Sequence, residues 1–131
     1  MSQENLEIVQ RAIEHYNETG GLPWDLVDPG IEWVIDPAAW VAGTYHGHDG
    51  VRTLFSRMAE VFDRFQIEAE RFVDAGDAVV VLGRSKVHGG LSGVTTGQQL
   101  DQVFRVRAGR ITAVRAYLRR EDALEAVGLR E

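Results

Sequence analysis

Residues 74–88 read DAGDAVVVLGRSKVH, and the shape of the domain turns on them. Asp74-Ala75-Gly76-Asp77 has the composition of a tight turn, and the apolar, β-branched run after it predicts a long strand. In AVVVL both parities are apolar: Val79 and Val81 fall on one side, Val80 and Leu82 on the other. A strand of that kind is buried on both faces of its sheet. One layer of helices covers only one of them. Either some valine stays in solvent, which strand propensity alone would explain, or a second copy covers the outer face. The second reading makes the protein a homodimer through Val79, Val81, Val103 and Tyr117.

On either side of this strand the apolar period changes. Leu6, Val9, Ile13 and Tyr16 recur at three- and four-residue steps with Ala12 beside them, predicting a helix over about 3–19 that Gly20-Gly21 stops. Pro23 suits the first turn of a short helix, PWDLVD, which Pro29-Gly30 ends before a strand, IEWVI. GTYHGHDG reads as a glycine-punctuated loop in which Asp49 caps the next helix. That helix carries Val51, Leu54, Phe55, Met58 and Phe62 on one face. From Phe65 onward the period is two: FQIEAERFV is a strand, GGLSGVTTG a loop, and QQLDQVFRVR and RITAVRAYLRR are strands joined at Ala108-Gly109. EDALEAVG is a last, short helix. The expectation is one α+β domain over residues 1–131, a curved and mainly antiparallel sheet wrapped around three helices.

Composition narrows the function. The chain has 131 residues, no cysteine and a formal charge of −6 with acidic and basic residues interspersed. That argues against thiolate metal sites, a cysteine nucleophile, and a nucleic acid or anionic membrane as partner. No leader-like N-terminus and no window of about eighteen apolar residues is present, so a cytoplasmic protein is expected. Glycine-rich phosphate loops and the nucleophile elbow are missing too, which leaves small molecules and proteins as partners.

The one stretch with a chemical anomaly is EWVIDPAAW, residues 32–40. An apolar strand ends in a lone carboxylate, Asp36, followed by Pro37 and bracketed by Trp33 and Trp40. Either Asp36 turns the chain, or it stands at the rim of an apolar pocket, where desolvation would suit a carboxylate to acid–base work.

IVQRAIEHYN, IEWVIDP, GTYHGHDGV, DAGDAVVVLGR and AYLRREDALEAVGL, in that order, resemble the SnoaL-like branch of the nuclear transport factor 2-like superfamily over nearly the whole chain. The resemblance implies a conical α+β half-barrel. It also implies an activity among ketosteroid isomerases, polyketide cyclases, epoxide hydrolases, dehydratases and pure binders. Asp36 matches the isomerase catalytic base. The oxyanion-hole positions, a tyrosine and a protonated aspartate in the isomerase, fall on Ala12 and Gln102, with Tyr16 one turn beyond Ala12. The same matching turns Val80, Leu82, Arg84, Lys86 and His88 inward, so that Arg84 would pair with Asp36 or with a ligand oxygen. An epoxide-hydrolase arrangement would need a second carboxylate, and the parity of Asp101 points outward.

Trp33, Trp40, Tyr45, Phe55, Met58 and Phe104 are candidate pocket walls, with Lys86 and His88 near the mouth. His46 and His48 lack a clear third ligand, so no metal is expected. The expected function is that of a cofactor-free acid–base enzyme on a small apolar ring or polyketide-like ligand, with Asp36 as base and Arg84 and Gln102 stabilising charge on oxygen. A small-molecule carrier and a protein-interaction module are the alternatives.

Overall fold

The first helix, α1 (Ser2–Thr19), buries Val9, Ala12 and Ile13 and leaves its opposite face to solvent. In this computed structural model, which describes residues 2–37, 39, 41–89 and 97–129, its buried stripe packs on the inner face of a six-stranded sheet. Trp40, Ala38 and residues 90–96 of the expected 89–97 loop lie outside the described residues.

After a 3₁₀ turn at Trp24–Leu26 the chain enters β1 (Val27–Ile35), then β2 (Gly43–His46), α2 (Gly47–Ala59), β3 (Arg64–Asp74), β4 (Ala78–His88), β5 (Asp101–Arg107), β6 (Arg110–Tyr117) and α3 (Arg120–Ala126). The sheet order is β2-β1-β6-β5-β4-β3. Every neighbouring pair is antiparallel except β1 and β6, which run parallel with Trp33 opposite Val114 and Ile35 opposite Ala116. The result is an open, curved, mixed sheet with α1 and α2 in its concave side. The hairpin between β5 and β6 turns through Ala108 (φ 52°) and Gly109 (φ 78°), two successive left-handed residues that match the twist of the strands they join.

Three element boundaries differ from the sequence reading. Pro29-Gly30 does not end a helix: both residues lie within β1, where the ladder to β6 is interrupted between Val27 and Glu32. A proline is tolerated there because a break in the ladder asks for no N–H. GTYH is a strand paired to β1, and α2 follows it directly, so Asp49 sits in the first turn of α2 and forms an exposed ion pair with Arg52 (3.1 Å). Phe62 lies beyond the end of α2 and meets Phe65 ring to ring, with centroids 6.0 Å apart.

The central strand is buried on both faces, as AVVVL requires, but in the opposite phase. Val79 and Val81 join the core under α1 and α2, together with Trp33, Phe104 and Val114. Val80 and Leu82 form a second cluster with Ala78 and Val103, and Ala123 and Leu124 of α3 cover it. The outer cover expected from a second copy is therefore supplied by the chain's own last helix. An ion pair fixes α3 in place: Asp101, fully buried on the outer face of β5, accepts from Arg120 Nε and Nη2, each at 3.3 Å, and from Gly83 N at 3.0 Å. Two guanidinium bonds to one carboxylate define an orientation as well as a contact.

Candidate functional site

Between the helices and the concave face of the sheet lies a cavity of about 100 Å³. Helix α1 gives it Ala12 and Tyr16, α2 gives Leu54, Phe55 and Met58, and the sheet gives Trp33, Ile35, Ser85, Gln102, Phe104 and Ala116. The first stretch after β1 contributes Asp36, the one charged side chain in the described lining. The volume is somewhat below the roughly 150 Å³ of a dry protein cavity known to hold benzene, and well below the roughly 300 Å³ at which drug-sized pockets begin. It limits a ligand to no more than a single ring.

One wall is a continuous aromatic run. Tyr16 tilts against Phe55 (5.0 Å between centroids), and Trp33 meets Phe55 edge to face at 5.6 Å and Phe104 at 6.3 Å. Such geometries are favourable beyond simple burial and hold each ring in place. Burial pushes the Tyr16 hydroxyl well above its ordinary titration range, so it is a neutral O–H at any physiological pH.

Asp36 is held by the end of the β1–β6 ladder. Its N–H donates to Ala116 O (3.2 Å), its carbonyl accepts from Ala39 N (2.9 Å), and Oδ2 accepts from Leu118 N (3.2 Å). A carboxylate with a backbone donor on one oxygen is fixed in direction while still bordering the cavity.

Two further polar groups in the lining, Trp33 Nε1 and Gln102 Oε1, are buried and lack a hydrogen-bond partner among the described residues. Leaving a buried polar atom unpaired costs about 1–3 kcal/mol. Natural proteins seldom carry that penalty without a reason.

Of the residues expected at the site, Asp36, Tyr16, Trp33, Phe55, Met58, Gln102 and Phe104 all border the cavity. Arg84, Lys86 and His88 do not. Because β4 has the opposite phase, its inward positions are Val79, Val81 and Ser85, and Arg84 lies opposite Glu68 with its guanidinium donating to Gly97 O (3.3 Å). Lys86 is exposed, and His88, half-buried, is registered against Arg64 at the strand end. Arg84 therefore does not line the cavity that Asp36 borders. Tyr45 is buried, but its hydroxyl donates to Val41 O and accepts from Arg57 Nη1, both at 2.9 Å, which spends it on the core beneath α2.

Sequence reasoning missed Ser85, which lies between two cations in Arg-Ser-Lys and was read as the outward residue. Its hydroxyl accepts from the N–H of Gln98, another lining residue, at 3.3 Å. It also missed Trp24, over which Arg52 stacks at 4.5 Å and against which His48 tilts at 4.9 Å, His48 Nε2 being bonded to Val27 O at 2.8 Å.

The fold and the cavity together define a class of protein built on a curved sheet that closes around a small internal site. The model of the SnoaL-like domain matches residues 9–114, and the chain belongs to that family. Solved structures agree on the fold. TerC, co-crystallised with polyporic acid, is 22% identical with a TM-score of 0.77, the match covering 95% of this chain and 98% of that one. An NTF2-like protein of unknown function from Burkholderia pseudomallei is 19% identical with a TM-score of 0.76, covering 95% and 98%. A hypothetical protein with a ketosteroid isomerase-like fold from Catenulispora acidiphila, in complex with trimethylamine, is 18% identical with a TM-score of 0.74, covering 95% and 94%. No curated protein matches the chain.

Proposed function

We propose that this protein binds a small, mostly apolar ring compound in the cavity between α1, α2 and the sheet, and that Asp36 moves a proton on it without a cofactor. The observation that carries the reading is the position of Asp36: a single oriented carboxylate at the edge of a cavity otherwise lined by apolar and neutral polar side chains. Oriented at the edge of an apolar cavity, such a carboxylate is placed to act as a general base for a carbon acid next to a carbonyl. Two proteins of the same fold, TerC co-crystallised with polyporic acid and the Catenulispora acidiphila protein in complex with trimethylamine, support a small-molecule reading for this chain.

The enzyme differs from the sequence expectation in its electrostatics. With Arg84 and Lys86 on the outer face, developing negative charge on a substrate oxygen would be met by neutral donors only, the Trp33 N–H, the Gln102 amide and the Tyr16 hydroxyl. Such an arrangement favours easily enolised substrates, whose oxygen needs modest stabilisation. A cytoplasmic location belongs to the same reading. So does a homodimer, whose contact would have to use polar outer-face residues such as Glu68, Arg84 and Lys86 rather than the valines.

The test is amide chemical-shift mapping with small cyclic ketones. The reading expects shifts concentrated at Ser85, Gln102, Ala116 and Leu118. Shifts confined to the outer face, or none at millimolar ligand, would refute it.

A further inference from the structure

Trp33 and Gln102 stand on the concave face of the sheet, on β1 and β5, and both line the same cavity. Trp33 is 6% exposed and Gln102 5%. One presents a donor that has no acceptor, the other an acceptor that has no donor, among the described residues. Their disposition is not an accident of a loosely packed edge. Trp33 is wedged between Phe55 and Phe104, and Gln102 is registered between Val81 and Ala116 in the middle of the sheet.

We infer that the ligand of this cavity is a neutral, single-ring molecule bearing a hydroxyl group, a phenol or an enol, whose oxygen accepts from Trp33 Nε1 and whose proton is donated to Gln102 Oε1. This rests on the cavity being a ligand site, and it names what that site selects. Three observations converge on it. The unpaired donor and the unpaired acceptor are complementary to one hydroxyl, or to a hydroxyl beside a carbonyl, and to neither a hydrocarbon nor a carboxylate. The cavity volume of about 100 Å³ leaves no room for fused polycycles. The only charge in the described lining is the carboxylate of Asp36, which repels anions; an ammonium group is attracted to it but brings no acceptor for the Trp33 N–H.

The same pairing gives specificity against close analogues. A site with buried hydrogen-bonding groups rejects the isostere that lacks the matching polar atom far more strongly than it rejects a change of one methyl group. Among the described residues neither group has a partner, so a hydroxylated ligand can pair both and toluene neither.

The experiment is a binding comparison on the full chain with phenol, toluene, benzoate and benzylammonium, followed by calorimetry and by the Trp33 indole ¹⁵N–¹H resonance. Phenol is expected to bind at least tenfold more tightly than toluene and to move the indole proton downfield, as a new hydrogen bond does; toluene should leave it nearly in place. Gln102→Met, which keeps the length and removes the acceptor, should abolish the preference of phenol over toluene while keeping toluene binding. Equal binding of phenol and toluene by the wild type, with toluene held in the cavity, overturns this inference and leaves the cavity a ligand site. Tighter binding of benzoate or benzylammonium than of phenol overturns it equally. Failure of all four to bind would remove the ligand site itself. Should Gln102→Met not fold, the wild-type phenol-to-toluene ratio and the indole shift still decide the matter.

Discussion

The backbone N–H of Leu118 donates to Asp36 Oδ2 across 3.2 Å, although the two residues lie 82 positions apart in the chain. The bond joins the exit of β1 to the exit of β6, the one parallel pair in the sheet. Pro37 offers no N–H to Asp36, and Leu118 supplies a donor from across the ladder. Asp36→Asn keeps an oxygen acceptor for Leu118 and should fold with nearly unchanged stability. Asp36→Ala leaves the Leu118 N–H without this partner and should cost about 1 kcal/mol in urea unfolding. A loss in Asp36→Asn as large as in Asp36→Ala would show that the charge, not the acceptor, holds the structure.

Val81 is 1% exposed and packed beneath α1 and α2. Val81→Arg should therefore unfold the domain, since an unpaired charge in that core costs more than about 4 kcal/mol. A folded Val81→Arg protein by circular dichroism, with only its assembly changed, would put Val81 back on the outer face.

Much of the fold was legible because the signals were local: the 3.6-residue stripe of α1, the Ala108-Gly109 turn, the both-sided burial of AVVVL. What could not be read was phase. Where four consecutive residues are all apolar, alternation says that both faces are buried and nothing about which face is which. The phase is set by distant partners, Val79 opposite Phe104 and Val81 opposite Gln102, and by a bulge in β3 between Ala69 and Arg71. That one ambiguity moved Arg84, Lys86 and His88 out of the site and Ser85 into it. Asp36 and Gln102 were found because each breaks an apolar run or matches a family position. The pairing of Asp36 with Leu118 and the cover given by α3 are contacts between segments far apart in sequence, with no local signature.

Gly83 faces that bulge. A Cβ there would collide with Glu68 O and stand 3.2 Å from Ala69 Cα, both backbone atoms that cannot rotate away. Gly83→Ala should destabilise by about 1–3 kcal/mol, as overpacked interiors do. An unchanged urea midpoint would mean that the bulge relaxes freely.

Arg120 is one-third exposed at its side chain, while its partner Asp101 is fully buried. Arg120→Met should cost about 2 kcal/mol, between the range of surface pairs and that of buried ones. Hydrogen exchange should then rise first in α3 and in the outer-face amides it covers. Uniform exchange across the sheet would deny α3 its role as a separately held cover.

Tyr16 gives a pH dependence. Its hydroxyl titrates higher in the folded protein than its ordinary value of about 10, because burial disfavours the phenolate. The unfolded chain loses this proton first. The corresponding stability is present in full below about pH 10 and declines as the pH rises above it. Between pH 8 and 11 the urea midpoint of the wild type should fall further than that of Tyr16→Phe. Parallel curves would show that the Tyr16 hydroxyl is open to water.

The central claim, that Asp36 moves a proton on a ligand held in the cavity, is tested most directly by carbon-proton exchange. A small cyclic ketone such as cyclohex-2-enone is incubated with the protein in D₂O, and the loss of its exchangeable C–H signal is followed by NMR. The wild type should exchange these protons at least tenfold faster than buffer alone, and Asp36→Asn, folded and still binding the ketone, should return to the buffer rate. Exchange by Asp36→Asn at the wild-type rate, or no acceleration by a wild type that demonstrably binds the ketone, would contradict it.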